Sequence, residues 1–397
     1  DGPAESWQIF LNLLTELVFF PTFPEDEMER EKEVVRREMA MYADDPDSVA
    51  YQLLMQTLYL KHPRRWPVLG ERAAFDCLTR QDVLDYHASR YVPNNVVLSI
   101  AGDVDAAEIL SHLELLVEDL KSRPLNREPI PHEPHQFGSR RVRKEFAVPY
   151  SKLHLAWRLP CSAHPDTPAL SALSSILGGG RSARFYEKFH DRLGLVYSIE
   201  VHSNQSETDE GAFTISMDVD RAQRDKVRDL VLQELRNLAE EDFTEDLKRV
   251  CKQTRVSRLR RRSSASGVAS EMGADWFGSR NLNLSSEWQE AIERVTTEDL
   301  HRVCSTWLSS PNVTEVSLDP PGSNAGDEER ASASAGTALS EHVLGNGMKV
   351  VIREDHRLPL AYACMAFKAG CRAENEHDAG VTDLMSECLL KGTSTRS

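Results

Sequence analysis

The stretch Glu29–Met39, EREKEVVRREM, sets Glu31 and Glu38 seven residues apart in a charged segment. Seven residues is two helical turns, so on a helix both carboxylates share one face. Like charges on one face repel unless something positive lies between or beside them. The ordinary partners are close in sequence: Arg30, Lys32, Arg36 and Arg37. With them the segment reads as a solvated helix face.

Other residues able to do chemistry are scattered. Seven cysteines (Cys77, Cys161, Cys251, Cys304, Cys364, Cys371 and Cys388) form no C-x-x-C pair. Their odd count and wide spacing point to free thiols in a reducing compartment, and so to a cytoplasmic location. Gly178, Gly179, Gly180 and Arg181, in LGGGRSAR, let the backbone turn sharply and come close to a neighbour. The stretch lacks the G-K-[ST] ending and the spacing of a phosphate-cradling loop. RLRRRSS (258–264) is basic, but it has no interleaved aromatics and sits in a chain of net charge −16. That balance argues against a broad nucleic-acid or anionic-membrane surface.

The chain has 397 residues, 40% hydrophobic and 28% charged, enough for two or more globular domains. No apolar run approaches the roughly 20 residues that span a bilayer, and LNLLTELVFF (11–20) is broken by Thr15 and Glu16. The N-terminus has neither a basic n-region nor an initiator Met, so the chain is expected to come from a longer protein. Helices are predicted over 6–20, with Trp7, Phe10, Leu11, Leu14 and Leu17 as its apolar stripe, and over 25–42, 48–60, 78–91 and 106–120. The Val/Ile-rich run 95–105 reads as a strand. Proline-rich 121–140 is a linker, after which strands at 152–160 and 211–220 and long helices over 221–240, 244–262 and 265–280 follow. A second, more flexible linker lies near 318–338.

An internal repeat relates 78–100 to 295–318. Thr79 matches Thr296 and Asp82 matches Asp299, 217 residues on. The front of a third copy, 349–370, is similar to 141–160. A period this long means repeated domains, not a solenoid.

GNGMKVVIREDHRLPL followed by GVTDLMSECLLKGT (380–393) resembles the start of the insulinase and pitrilysin-like metallopeptidases, the inverted zincins. Active copies in that family read G-x-x-H-x-x-E-H-x-x-x-K-G-T. Here Gly380, Lys391, Gly392 and Thr393 keep the frame, but Asp383, Ser386 and Glu387 stand at the ligand and base positions. The resemblance therefore implies a degenerate, non-catalytic unit in which those three residues are not zinc ligands. SRYVPNNVVLSIAGDVD (89–105), HPRRWPVLGE (62–71) and the segment around EREKEVVRREM are also similar to the family's catalytic unit. By position, the resemblance makes Glu38 the third zinc ligand and Glu31 an assisting acidic residue. LGGGRSAR is similar to an element of the family's non-catalytic domains; Arg181 and Arg184 are expected to orient the following helix or meet neighbouring acids, with substrate contact by Gly178, Gly179, Gly180 and Arg181 as the alternative.

The resemblance implies an α+β fold of repeated metallopeptidase-like units, each a mixed or antiparallel sheet covered on one face by helices. The boundaries are 1–122 for the C-terminal part of a catalytic unit and 141–318 for a second, non-catalytic unit. A linker follows at 319–339, and 340–397 starts a third, degenerate unit. The implied function is that of a portion of a zinc-dependent endopeptidase acting on peptides or unfolded proteins. The cofactor is Zn²⁺, with the two His ligands expected upstream of Asp1, since no H-x-x-E-H occurs in the chain. The partners are substrate and the remainder of its own chain, without nucleic acid or a membrane span. A non-catalytic scaffold or core subunit of the same fold remains the alternative.

Overall fold

Residues 152–159 alternate so that Leu153, Leu155, Trp157 and Leu159 project from one face and Lys152, His154, Ala156 and Arg158 from the other. The computed structural model makes this strand the centre of a five-stranded sheet. It describes residues 2–125, 129–205, 210–308, 311–322 and 339–353, with 363–365, Thr382, Met385 and Cys388. The elements begin with α1 (Trp7–Phe19), α2 (Glu25–Asp44), α3 (Pro46–Leu58), α4 (Arg72–Asp76), α5 (Arg80–Arg90) and α6 (Ala106–Val117). Next come β1 (Arg140–Glu145), β2 (Ser151–Leu159), α7 (Thr167–Gly178), a π-helical segment (Tyr186–Arg192), β3 (Val196–Asn204) and β4 (Gly211–Val219). Then follow α8 (Arg224–Asn237), α9 (Thr244–Arg261), α10 (Ala265–Ser279), α11 (Leu284–Glu293), α12 (Thr297–Val303) and β5 (Thr314–Asp319). All lie in one compact unit, residues 1–332.

The strand order is β1-β5-β2-β4-β3; β1 runs parallel to β5 and the other pairs are antiparallel. The fold is thus α+β with a mixed sheet. Leu153, Leu155, Trp157, Phe213 and Ile215 pack against the apolar faces of α7, α8, α9 and α12 in the main core. A finding beyond the expected one-sided cover is α3 on the opposite face. Its Leu54, Met55 and Leu58, with Tyr59, meet the small residues Ala156 and Ala212 and also Val316. Two alanines there leave the depth that a helix needs to come close.

The repeat is borne out at its helix starts. Thr79 Oγ1 accepts the Asp82 amide at 3.3 Å, and the Asp82 carboxylate takes the Thr79 amide at 2.8 Å. Thr296 and Asp299 repeat this at 3.2 and 3.1 Å. Both are capping boxes. Thr296→Ala is expected to lower global stability by about 1 kcal/mol, because α12 buries Leu300 and Val303. Thr79→Ala should fray α5, which buries none of its residues, and leave the cooperative transition unmoved. Urea unfolding of the two variants checks the pair.

The strand expected over 95–105 does not form. Pro93–Asn95 is a 3₁₀ turn, Val96 is extended (φ −116°, ψ 141°), and no described strand pairs with the segment. In the matching copy, β5 is buried along its length between β1 and β2. The local pattern is shared; the ladder partners are not. The α1 stripe is also only partly used, with Leu11 and Thr15 buried but Leu14 and Leu17 exposed. Asp319, placed in the linker by sequence, closes β5.

Residues 333–397 form a second compact unit. Its described part is the hairpin β6 (Leu339–Val343) and β7 (Lys349–Arg353), antiparallel with Ser340 opposite Ile352. Gly347 turns it at φ +84°, a conformation that favours glycine.

Candidate functional site

Helix α2 is set by its ends. Glu25, Asp26 and Glu27 fill its first turn, where carboxylates complement the helix dipole. It stops at Asp45, whose side chain accepts the Ser48 amide at 2.9 Å and so caps α3, with Pro46 in the first position. Glu31 is exposed and Glu38 half-buried.

The helix face is solvated as expected, but three of the cations expected to neutralise Glu31 and Glu38 go elsewhere. Arg30 pairs with Asp26 and Glu27. Lys32 bonds the Leu78 carbonyl at 2.9 Å and lies 3.5 Å from Glu29. Arg36 holds Asp76 at 2.8 Å and Glu33 at 2.5 Å. Its bonds to Asp76, and those from Arg72, hold the Asp76 carboxyl below the usual range. Among the described residues neither Glu31 nor Glu38 takes a hydrogen bond or an ion pair. Glu31 stands at the rim of an open groove of about 630 Å³ lined by Leu13, Leu17, Phe20, Phe23 and Met28.

Zinc sites in enzymes use three protein ligands and one open position. Among the described residues no three His, Cys, Asp or Glu side chains come together to hold a metal ion. The described residues do not form a zinc site by themselves. Asp383, Ser386 and Glu387 lie outside the described residues.

Gly178 ends α7 half-buried. A Cβ there would come within 2.4 Å of the Val201 nitrogen, so glycine is needed for α7 to lie against β3. Gly179 and Gly180 are exposed, and Gly180 takes φ +98°. Arg181 is exposed and unbonded among the described residues, whereas Arg184 binds Asp246 at 2.7 Å and Glu241 at 3.1 Å and lies over the Phe243 ring. In the 61–70 loop, His62 is buried and accepts the Arg64 amide at 3.1 Å. Described cysteines are free thiols; Cys371 is outside the described residues. Burial pushes the Cys304 thiol up to about 12, which leaves it inert.

A cleft of about 1050 Å³ lies between α3, the 63–68 loop and the polar face of β2, β4 and β3. The sequence reading missed it, although the polar phase of the alternation Lys152–His154–Ala156–Arg158 marks that face. His154 Nδ1 is 2.9 Å from Ser216 Oγ. Burial first, and the Lys152 ammonium second, push His154 down to about 4. So weak a base, bonded to the hydroxyl and, among the described residues, to no carboxylate, is not a nucleophile-activating pair. The native state holds His154 neutral while the unfolded chain protonates from about pH 6.5. Stability is expected to be full above that pH and to fall by up to about 3 kcal/mol toward pH 4. Urea unfolding at several pH values should show a flatter profile for His154→Gln than for the native chain.

The fold defines a class: an α+β unit whose five-stranded mixed sheet carries helices on both faces. Residues 78–253 match the family model described as the Peptidase M16 inactive domain. An uncharacterized zinc protease of Rickettsia felis is 24% identical over 319 residues, 77% of this chain and 74% of the relative. The zinc protease PqqE of Helicobacter pylori is also 24% identical, over 78% of this chain and 71% of its own length. The crystal structure of a protease from Helicobacter pylori superposes with a TM-score of 0.71 at 25% identity, covering 80% of this chain and 78% of that one. The chain is similar to the insulinase/pitrilysin-like peptidases over most of its length and shares their M16-like fold. No described helix is long and apolar enough to cross a membrane.

Proposed function

We propose that the chain is a portion of a zinc-dependent endopeptidase that hydrolyses peptides or unfolded proteins, with Glu38 as the third protein ligand. The observation that carries this is the unpaired state of Glu38 and Glu31 on a helix whose other charges are largely paired. A divalent cation beside that face would make both carboxylates tolerable. When bound by two imidazoles and Glu38, zinc would supply a polarised carbonyl and an activated water. Those imidazoles and the base carboxylate belong to polypeptide other than residues 1–397. In this reading 1–122 is part of the catalytic unit and 141–318 a non-catalytic unit. Gly179, Gly180 and Arg181 offer substrate an exposed turn, and Asp383, Ser386 and Glu387 bind no second zinc.

The test is cleavage of an unstructured peptide by the complete protein and by residues 1–397. The complete protein should cleave it, stop on chelation and recover with Zn²⁺. Residues 1–397 alone should neither cleave nor retain one zinc per chain. Metal-dependent cleavage by 1–397 alone would overturn the assignment of its ligands. A complete protein with neither zinc nor activity would instead favour the non-catalytic core subunit, the reading that suits a match to the inactive-domain model.

A further inference from the structure

Helix α2 buries none of its own residues completely, so its position is imposed from outside. It joins α3 through the single residue Asp45, and α3 is the element that grips the sheet. The chain leaving α3 is held by groups distant in sequence. Arg140 Nη1 donates to the Thr57 and Leu58 carbonyls at 2.9 and 2.8 Å, closing the helix C-terminus with a cation. The next three amides, of Leu60, Lys61 and His62, all donate to the Glu133 carboxylate at 2.6, 2.8 and 2.9 Å. Successive amides turned inward make an anion cradle, and here a side chain of the same chain fills it.

Glu133 is only 8% exposed, in a proline-rich segment with neither helix nor strand. Three residues on, Gln136 is 5% exposed and donates to the Asn312 carbonyl at 2.9 Å, just ahead of β5. The expected linker is thus a strap pinned at one end to the turn after α3 and at the other to the sheet. Burial opposes the Glu133 charge, but the three amides outweigh it and hold the carboxyl below its usual value. The Tyr59 hydroxyl adds a bond to the Gly211 carbonyl at 3.0 Å.

We infer that Glu133, with Arg140, is a positioning residue: it locks the turn at 59–62 and thereby fixes the α2–α3 hairpin, and with it Glu38, on the sheet of residues 140–319. The inference rests on the proposed role of Glu38 only for its catalytic consequence; the lock itself is independent of any metal. Nothing in the sequence pattern marked it, because a carboxylate in a proline-rich stretch reads as solvated.

The test is amide hydrogen exchange followed by mass spectrometry on residues 1–397, native and Glu133→Gln. Glutamine keeps the shape but turns an amide donor toward the three N–H groups. Exchange over residues 25–62 is expected to quicken by about tenfold or more, with β2 and β4 unchanged. Glu133→Asp, which restores the charge, should recover part of the protection, and it also serves if the glutamine variant does not fold. In the complete protein the same substitution should weaken zinc binding and lower kcat about tenfold with little change in KM. Unchanged exchange over 25–62, or a uniform rise across the whole chain, would overturn the lock. Local loosening without any change in zinc affinity or turnover would confirm the lock and remove Glu38 from the metal site.

Discussion

Glu38→Gln in the complete protein is expected to lower both zinc affinity and peptide hydrolysis by at least about 100-fold. The substitution keeps the shape of the side chain and removes its charge, so α2 should keep its fold. Its caps and its ion pairs to Asp26, Glu27, Glu33 and Asp76 do not involve position 38. Glu31→Gln should cost less, about tenfold, as the loss of a supporting charge one helical turn pair away. Circular dichroism separates loss of site from loss of fold, and metal content read beside turnover gives the two effects. Full zinc occupancy with normal turnover in Glu38→Gln would remove that residue from the ligand set.

Asp319→Ala is expected to destabilise residues 1–332 by about 3 kcal/mol or more. Asp319 is 4% exposed at the end of β5 and accepts Arg224 Nη1 at 2.5 Å, Ser151 Oγ at 2.6 Å and Ser317 Oγ at 3.1 Å. Arg224 is 1% exposed, so the loss strands a buried guanidinium with Asp225 as its remaining carboxylate partner. The attraction within such a pair is partly cancelled by the cost of taking two charges from water. A double variant, Arg224→Met with Asp319→Leu, should therefore be less destabilised than Asp319→Ala alone. Chemical denaturation measures all three chains. A loss below about 1 kcal/mol in Asp319→Ala would show that water reaches Arg224 and relieves its charge.

Local signals were legible. Thr79 with Asp82 and, through the repeat, Thr296 with Asp299 mark helix starts that the structure reproduces as capping boxes, whereas the helix expected from 48 starts earlier, at Pro46 under the Asp45 cap. Alternation located β2 and β4, with the main core on one face. Non-local pairing was not legible. The run at 96–100 has the composition of a strand and forms none, while β1 and β5 pair in parallel although Arg140 and Thr314 are far apart in sequence. Spacing alone brought Glu31 and Glu38 to one face, but it assigned them the wrong neighbours. Arg36 and Lys32 are drawn to Asp76 and the Leu78 carbonyl, which only folding brings near. The role of Glu38 came from family resemblance. Glu133 and the cleft around His154 carried no motif, because each depends on which backbone lies opposite.

The most direct measurement is a crystal structure of the complete protein with data collected on both sides of the zinc absorption edge. An anomalous zinc peak about 2.0–2.2 Å from a Glu38 carboxylate oxygen, with two imidazoles completing the protein ligands, is the expected result. Zinc bound in an active enzyme away from Glu38 would contradict it.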